Sequence, residues 1–225
     1  MRKILFVSRY AAPVTEPLAE KYDIRYLAPC DALDGPVSSH ADMLVGVLDG
    51  RLLVTRSYYD RNRELFCGAD VVITNEEYGK EYPHDVLLNF IDAGDVAVGS
   101  KKAVSAAVVK PVINVKQGYT RCSTLIFGKN AVSADAGILS ALSGLGYDTL
   151  EISAGGILLE GYDHGFIGGA SFSDCSTVCF FGSLSYHPDG ERIRAFIDGH
   201  GFETAELSDT PLYDHGGAVI TDQKK

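Results

Sequence analysis

One order of elements recurs along the chain, and such a repeat restricts the fold more than any single residue does. The clearest copy reads as a strand over 123–127, a hairpin turn at Gly128-Lys129-Asn130 and a returning strand over 131–133. A helix over 136–145 follows, with Ile138, Leu139, Ala141, Leu142 and Leu145 on one face. Ser133 or Asp135 caps it, Gly146 stops it, and a third strand covers 149–152. The next copy predicts a strand over 166–172, a turn at Ser173-Asp174 and a return over 177–181. Its helix opens at Pro188, buries Ile193, Phe196 and Ile197, and closes at Gly199 and Gly201 before a strand over 204–207. Two earlier copies are looser. One has strands 42–48, 51–54 and 71–74 around a helix at 58–66; the other has strands 86–91, 96–98 and 111–115 around a helix at 103–108.

The two ends complete the pattern. Residues 1–36 offer a strand at 4–7, a helix at 14–21 and a strand at 24–27, but no first strand. The last residues offer a lone strand at 218–220. Joined, they make a fifth unit. One unit cannot bury both faces of its small sheet, and closing a ring removes exposed edges. The expectation is a mixed α+β chain, a single domain over 1–225. It forms a closed, five-bladed ring of strand-strand-helix-strand repeats, with the last blade completed by the two termini. An open α/β sandwich is the alternative.

Composition narrows the function. Twenty Lys plus Arg against thirty Asp plus Glu give a net charge of −10 over 225 residues. With 46% hydrophobic and 22% charged residues, disorder, collagen and coiled coil are excluded. The acid excess argues against a nucleic-acid partner or an anionic membrane surface. No apolar run reaches the roughly 18–20 residues of a membrane span. The opening Met1 to Ser8 is too short for a signal peptide. Five irregularly spaced Cys read as reduced thiols in a cytoplasm. Cys175 and Cys179 lack the second pair that a zinc site needs, so no metal is expected. The Gly-rich runs at 155–156 and 165–169 end in no Gly-Lys-Ser/Thr and fit no dinucleotide spacing. No cofactor is expected. These glycines suit a hairpin packed against an axis.

Polar chemistry gathers at the unit entrances. They read His40-Ala41-Asp42, Tyr82-Pro83-His84-Asp85, Tyr119-Thr120-Arg121-Cys122, Tyr162-Asp163-His164-Gly165 and Tyr213-Asp214-His215-Gly216-Gly217. In a ring these entrances converge on one end of the central channel. His40, Asp42, His84, Asp85, Asp163, His164, Asp214 and His215 would line an axial pocket, with Arg121 at the third entrance as a further substrate-binding candidate. Carboxylates there would hold a small polar or cationic metabolite, and imidazoles would exchange protons near neutral pH. Turn chemistry alone also selects Asp and Gly, so each junction has a purely structural reading.

This arrangement resembles the pentein fold of the guanidino-group-modifying enzymes, which include arginine and agmatine deiminases, dimethylargininases and amidinotransferases. A non-catalytic branch includes a ribosome anti-association factor. The chain is most similar to small bacterial members of this fold that carry no assigned activity. The resemblance implies a Cys nucleophile soon after a Gly-Gly run near the C-terminus, and a His-x-Asp motif. Gly216-Gly217 matches the run, but Ala218-Val219-Ile220-Thr221-Asp222 follows with no Cys. His40-Ala41-Asp42 matches the second motif on a different unit, and His164 lacks a following acid. The expectation is therefore a metabolite-binding protein without the standard deiminase chemistry. One alternative is a guanidino hydrolase or transferase using Cys122 with His40 and His164, the thiol activated by Arg121. Another is a module that binds protein or ribosome. The sequence leaves the oligomeric state open.

Overall fold

Apolar residues on consecutive positions, rather than alternating ones, mark a strand buried on both faces. Ile4-Leu5-Phe6-Val7 is such a run, and all four side chains are fully buried. In a computed structural model describing residues 2–224, they form the centre of β1 (Lys3–Ser8), which pairs in parallel with β2 (Tyr22–Leu27). Four units follow, each a hairpin whose second strand pairs in parallel with a third. The first comprises β3 (Gly46–Leu48), β4 (Arg51–Thr55) and β5 (Val71–Thr74). The second is β6 (Ile91–Asp92), β7 (Ala97–Gly99) and β8 (Val112–Asn114). The third is β9 (Thr124–Phe127), β10 (Asn130–Ser133) and β11 (Asp148–Glu151). The fourth is β12 (Ser171–Asp174), β13 (Thr177–Phe180) and β14 (Glu203–Glu206). Finally β15 (Ala218–Thr221) returns to β1 in antiparallel register, Ile4 opposite Thr221 and Val7 opposite Ala218. The termini therefore share one sheet, as the repeat predicts.

Packing joins each sheet to its neighbours. On β1, Ile4 and Phe6 enter one core with Leu52, Val54 and Phe66, while Leu5 and Val7 enter another with Phe172 and Phe181. Phe6 stacks on Phe66 at 5.4 Å between centroids. A third core joins Val98 of β7 to Ala131 of β10, and a fourth joins Phe127 of β9 to Phe180 of β13.

Several expected elements shift. The strand expected over 166–172 begins only at Ser171, because 167–170 turns on Gly168 and Gly169. The turn then falls at Cys175-Ser176 instead of Ser173-Asp174, with Cys175 at a φ of 52°. Residues 86–90 are turn and coil before β6, and the helix expected at 103–108 is a set of turns. Six residues ending before Lys110-Pro111 are too few to propagate a helix. The expected helix at 14–21 breaks into one α-turn (Ala12–Thr15) and a 3-10 segment (Glu16–Glu20) around Pro13 and Pro17.

The Ala136–Ser143 helix confirms its expected cap: the Asp135 side chain accepts from the Ile138 N–H at 2.9 Å. Asp135→Ala is expected to cost about 1 kcal/mol in urea denaturation. An unchanged midpoint would mean that packing of Ile138 and Leu142 alone holds this helix.

Candidate functional site

The entrances to the five first strands are laced together by hydrogen bonds. The Asp42 N–H donates to Gly216 O at 3.0 Å. Asn89 Nδ2 donates to Asp42 O at 3.1 Å, and Asn89 Oδ1 accepts from the Arg121 N–H at 2.7 Å. The Gly169 N–H donates to Cys122 O at 3.0 Å, and the Gly217 N–H donates to Gly169 O at 2.7 Å. These bonds run in a circuit through all five junctions and return to Asp42. Asn89 was not marked by the sequence motifs. Its one signal is an amide inside the apolar run Val86-Leu87-Leu88-Asn89-Phe90-Ile91, where a buried polar group needs partners.

Close approach depends on glycine. A Cβ on Gly169 would lie 1.9 Å from Asp214 Oδ1, and one on Gly216 would lie 2.3 Å from His40 Cβ. Gly169 and Gly216 therefore pack against the hub that this circuit forms; residues 165–169 do so as coil and a turn, not as the expected hairpin, and Gly155 stands in open space.

On one side of the circuit lies a cavity of about 260 Å³. His40, Cys122, Asp163, His164 and Asp214 line it together with Tyr119, Tyr162 and Phe166. Phe166 stacks on Tyr119 at 6.2 Å. The tyrosine hydroxyls are tethered, Tyr162 to Asp34 at 2.8 Å and Tyr119 to Asp85. The aromatic wall is thus held from behind.

Not every residue expected at the axis reaches this cavity. His84 is exposed and its ring stands outside; the 80–84 turn carries it away from the hub. Asp85 is buried and reaches the cavity only through Tyr119. Asp42 and Arg121 line a second cavity, and His215 lines a neighbouring groove that it shares with His40. Arg121 donates through Nη1 to Val45 O at 2.8 Å and through Nη2 to Ala218 O at 3.2 Å.

Burial sets the protonation states. It pushes the Asp214 carboxyl up to about 7, aided by the nearby Asp42, while the Phe166 and Gly216 N–H bonds oppose the shift. Burial also raises Asp42, opposed by the nearby Cys122 thiol and the Arg121 charge; neither of its oxygens meets a partner in good hydrogen-bond geometry among the described residues. His40 is pushed down to about 3 by burial and by His215, and burial takes His215 to about 4. Both imidazoles are neutral at pH 7. His40 Nδ1 stands 3.7 Å from Asp214 Oδ1.

The Cys122 thiol departs from the expectation that Arg121 activates it. Burial, then the Asp42 and Asp214 carboxyls, push it well above the ordinary thiol range. The Arg121 guanidinium is committed to carbonyl oxygens, and Cys122 Sγ instead accepts from Asn89 Nδ2 at 2.8 Å.

Comparison with solved structures places the architecture. A dimethylarginine dimethylaminohydrolase in an adduct with S-methyl-L-thiocitrulline is similar with a TM-score of 0.60 at 12% identity, over 98% of this chain and 100% of that one. The agmatine deiminase of C. jejuni gives 0.57 at 11% identity, over 99% and 94%. SxtG, an amidinotransferase from Microseira wollei in the saxitoxin biosynthetic pathway, gives 0.55 at 11% identity, over 96% and 81%. At these identities the likeness is one of fold, and the fold is the pentein fold. No curated protein matches the sequence. Among the described residues no helix is long and apolar enough to cross a membrane. Residues 8–219 match the model of DUF6873, a family of unknown function, and the chain belongs to that family.

Proposed function

We propose that the five sheets surround one axis as a five-bladed ring, and that the 260 Å³ cavity binds a small cationic metabolite of the guanidino or amino class. The circuit of bonds through all five junctions supports the ring. One observation carries the ligand class: Asp214 and Asp163 line the same cavity as the rings of Tyr119, Tyr162 and Phe166. Carboxylates make charge-assisted hydrogen bonds to an ammonium or guanidinium, and aromatic faces attract the same cation. The five free thiols suit a reducing compartment such as the cytoplasm. Without a Cys after Gly216-Gly217, and with the Cys122 thiol held protonated, this reading is binding without deiminase chemistry.

Calorimetry with agmatine, arginine and putrescine tests it. Binding is expected for at least one, weakened about tenfold or more in Asp214→Asn. Affinity should rise between pH 6 and 8 as Asp214 ionises. No binding by any of the three, or binding indifferent to Asp214→Asn and Asp163→Asn, would sink the proposal.

A second reading rests on Cys122, His40 and His164 lining that one cavity. It makes the protein a hydrolase or transferase of guanidino compounds. Incubation with a haloacetamidine followed by mass spectrometry separates the two. Labelling of Cys122 that disappears in Cys122→Ala supports the enzyme, and an unmodified protein supports binding alone.

A further inference from the structure

A second cavity of about 320 Å³ is lined by Arg121 and Asp42 but by none of the residues assigned above to the ligand's cation site. Arg121 brings a positive charge into it. A guanidinium has five N–H donors, and only two hydrogen bonds, both to carbonyl oxygens, are made by this one. Among the described residues it forms no ion pair; the Asp42 charge acts on it only at a distance. Asp42, 1% exposed, lines the same cavity with both carboxyl oxygens unpartnered. A buried guanidinium with no ion-pair partner and a buried carboxyl with unbonded oxygens are costly arrangements. They persist most readily where a bound molecule completes them.

The other walls say what kind of molecule fits. The hydroxyls of Thr124, Ser171 and Ser173 all donate to backbone carbonyls, at 2.9, 2.6 and 2.8 Å, and so have no donor left for an anion. Phe90, Leu125 and Phe172 supply apolar surface, and the remaining acid on the wall, Asp92, is already paired with Lys110 at 2.7 Å and accepts from the Asp49 N–H at 2.7 Å. One cation with few other donors suits a single negative charge and not a multiply charged phosphate. Burial favours the protonated form of Asp42, which adds one O–H donor beside Arg121.

We propose that this second cavity is a binding site for a small monocarboxylate with an apolar body, its carboxylate seated between Arg121 and Asp42. The site is separate from the cationic site and does not depend on it.

Benzoate and its neutral isostere benzamide are the probes, followed by calorimetry and saturation-transfer NMR on the full chain. Benzoate is expected to bind, and benzamide to bind at least about tenfold more weakly. Arg121→Met should lose benzoate by a similar factor. Val47→Trp should also lose it, because it fills the cavity while leaving the guanidinium in place. The proposal is overturned if benzoate shows no binding at about 10 mM, if benzamide binds the wild-type protein equally well, or if benzoate binding survives either substitution. The comparison of the two probes needs no variant, so a substitution that fails to fold leaves it decisive.

Discussion

Gly168→Ala is expected to remove most of the stability of the protein, about 3–5 kcal/mol or more. A Cβ there would lie 2.3 Å from Arg121 O, 2.5 Å from Thr124 O and 2.6 Å from Cys122 O. All three obstacles are backbone oxygens, which cannot rotate aside as the end of a side chain can. Relief would require moving the third and fourth units apart at the hub and breaking the Gly169 to Cys122 hydrogen bond. Gly155 is the useful comparison. It sits at a φ of +91° with nothing near its missing Cβ, so Gly155→Ala meets conformational strain alone, roughly 1–2 kcal/mol. Urea titration of both variants should show a small shift for residue 155 and a collapse or an insoluble product for residue 168. A Gly168→Ala protein with the wild-type midpoint would show that the hub is loosely packed.

The second large effect is on pH. Asp214, raised to about 7, holds a proton in the folded state that the unfolded chain releases near 4. Its contribution is full below about pH 4 and is lost as pH rises toward and through 7. His40 and His215, lowered to about 3 and about 4, act with the opposite sign. The unfolded chain protonates them near 6.5 and the folded protein resists, so their contribution is present above 6.5 and is lost as pH falls. Between about pH 4 and 6.5 these slopes oppose one another in the wild-type protein. Asp214→Asn should make stability rise more steeply with pH over that window, and His40→Gln should make it rise less or fall. Asp214→Asn will also change the level of stability, because an amide offers one acceptor oxygen where the carboxyl group serves the Phe166 and Gly216 N–H groups at 2.8 and 2.9 Å. The slope, not the level, is the diagnostic. Urea midpoints from pH 4 to 8 give it, and slopes identical in all three proteins would contradict these protonation states.

The repeat was readable because each unit carries its own punctuation. Asp135 caps one helix, and Gly146 and Gly201, both at positive φ, lie just past the ends of two helices, by local chemistry that needs no tertiary context. The pairing of 218–220 with 4–7 was readable by counting, since one half-unit at each end leaves one solution. Side-chain direction was not. The motif at Tyr82-Pro83-His84-Asp85 looks like its counterparts, yet the chain turns His84 outward and Asp85 inward. Arg121 and Cys122 are neighbours in sequence and point to different cavities, so their adjacency gave the wrong sign for the thiol. Asn89 escaped notice because its role comes from neighbours far away in sequence, Asp42 and Arg121.

The sheet that holds β1 also ties folding to a contact between segments far apart in sequence. Ile4 pairs with Thr221, and the other four sheets lie on the chain between them. Until β15 docks, β1 offers a bare apolar edge, the kind that recruits other chains. The local hairpins can form from neighbouring residues, whereas this clasp must close a loop that contains all the rest.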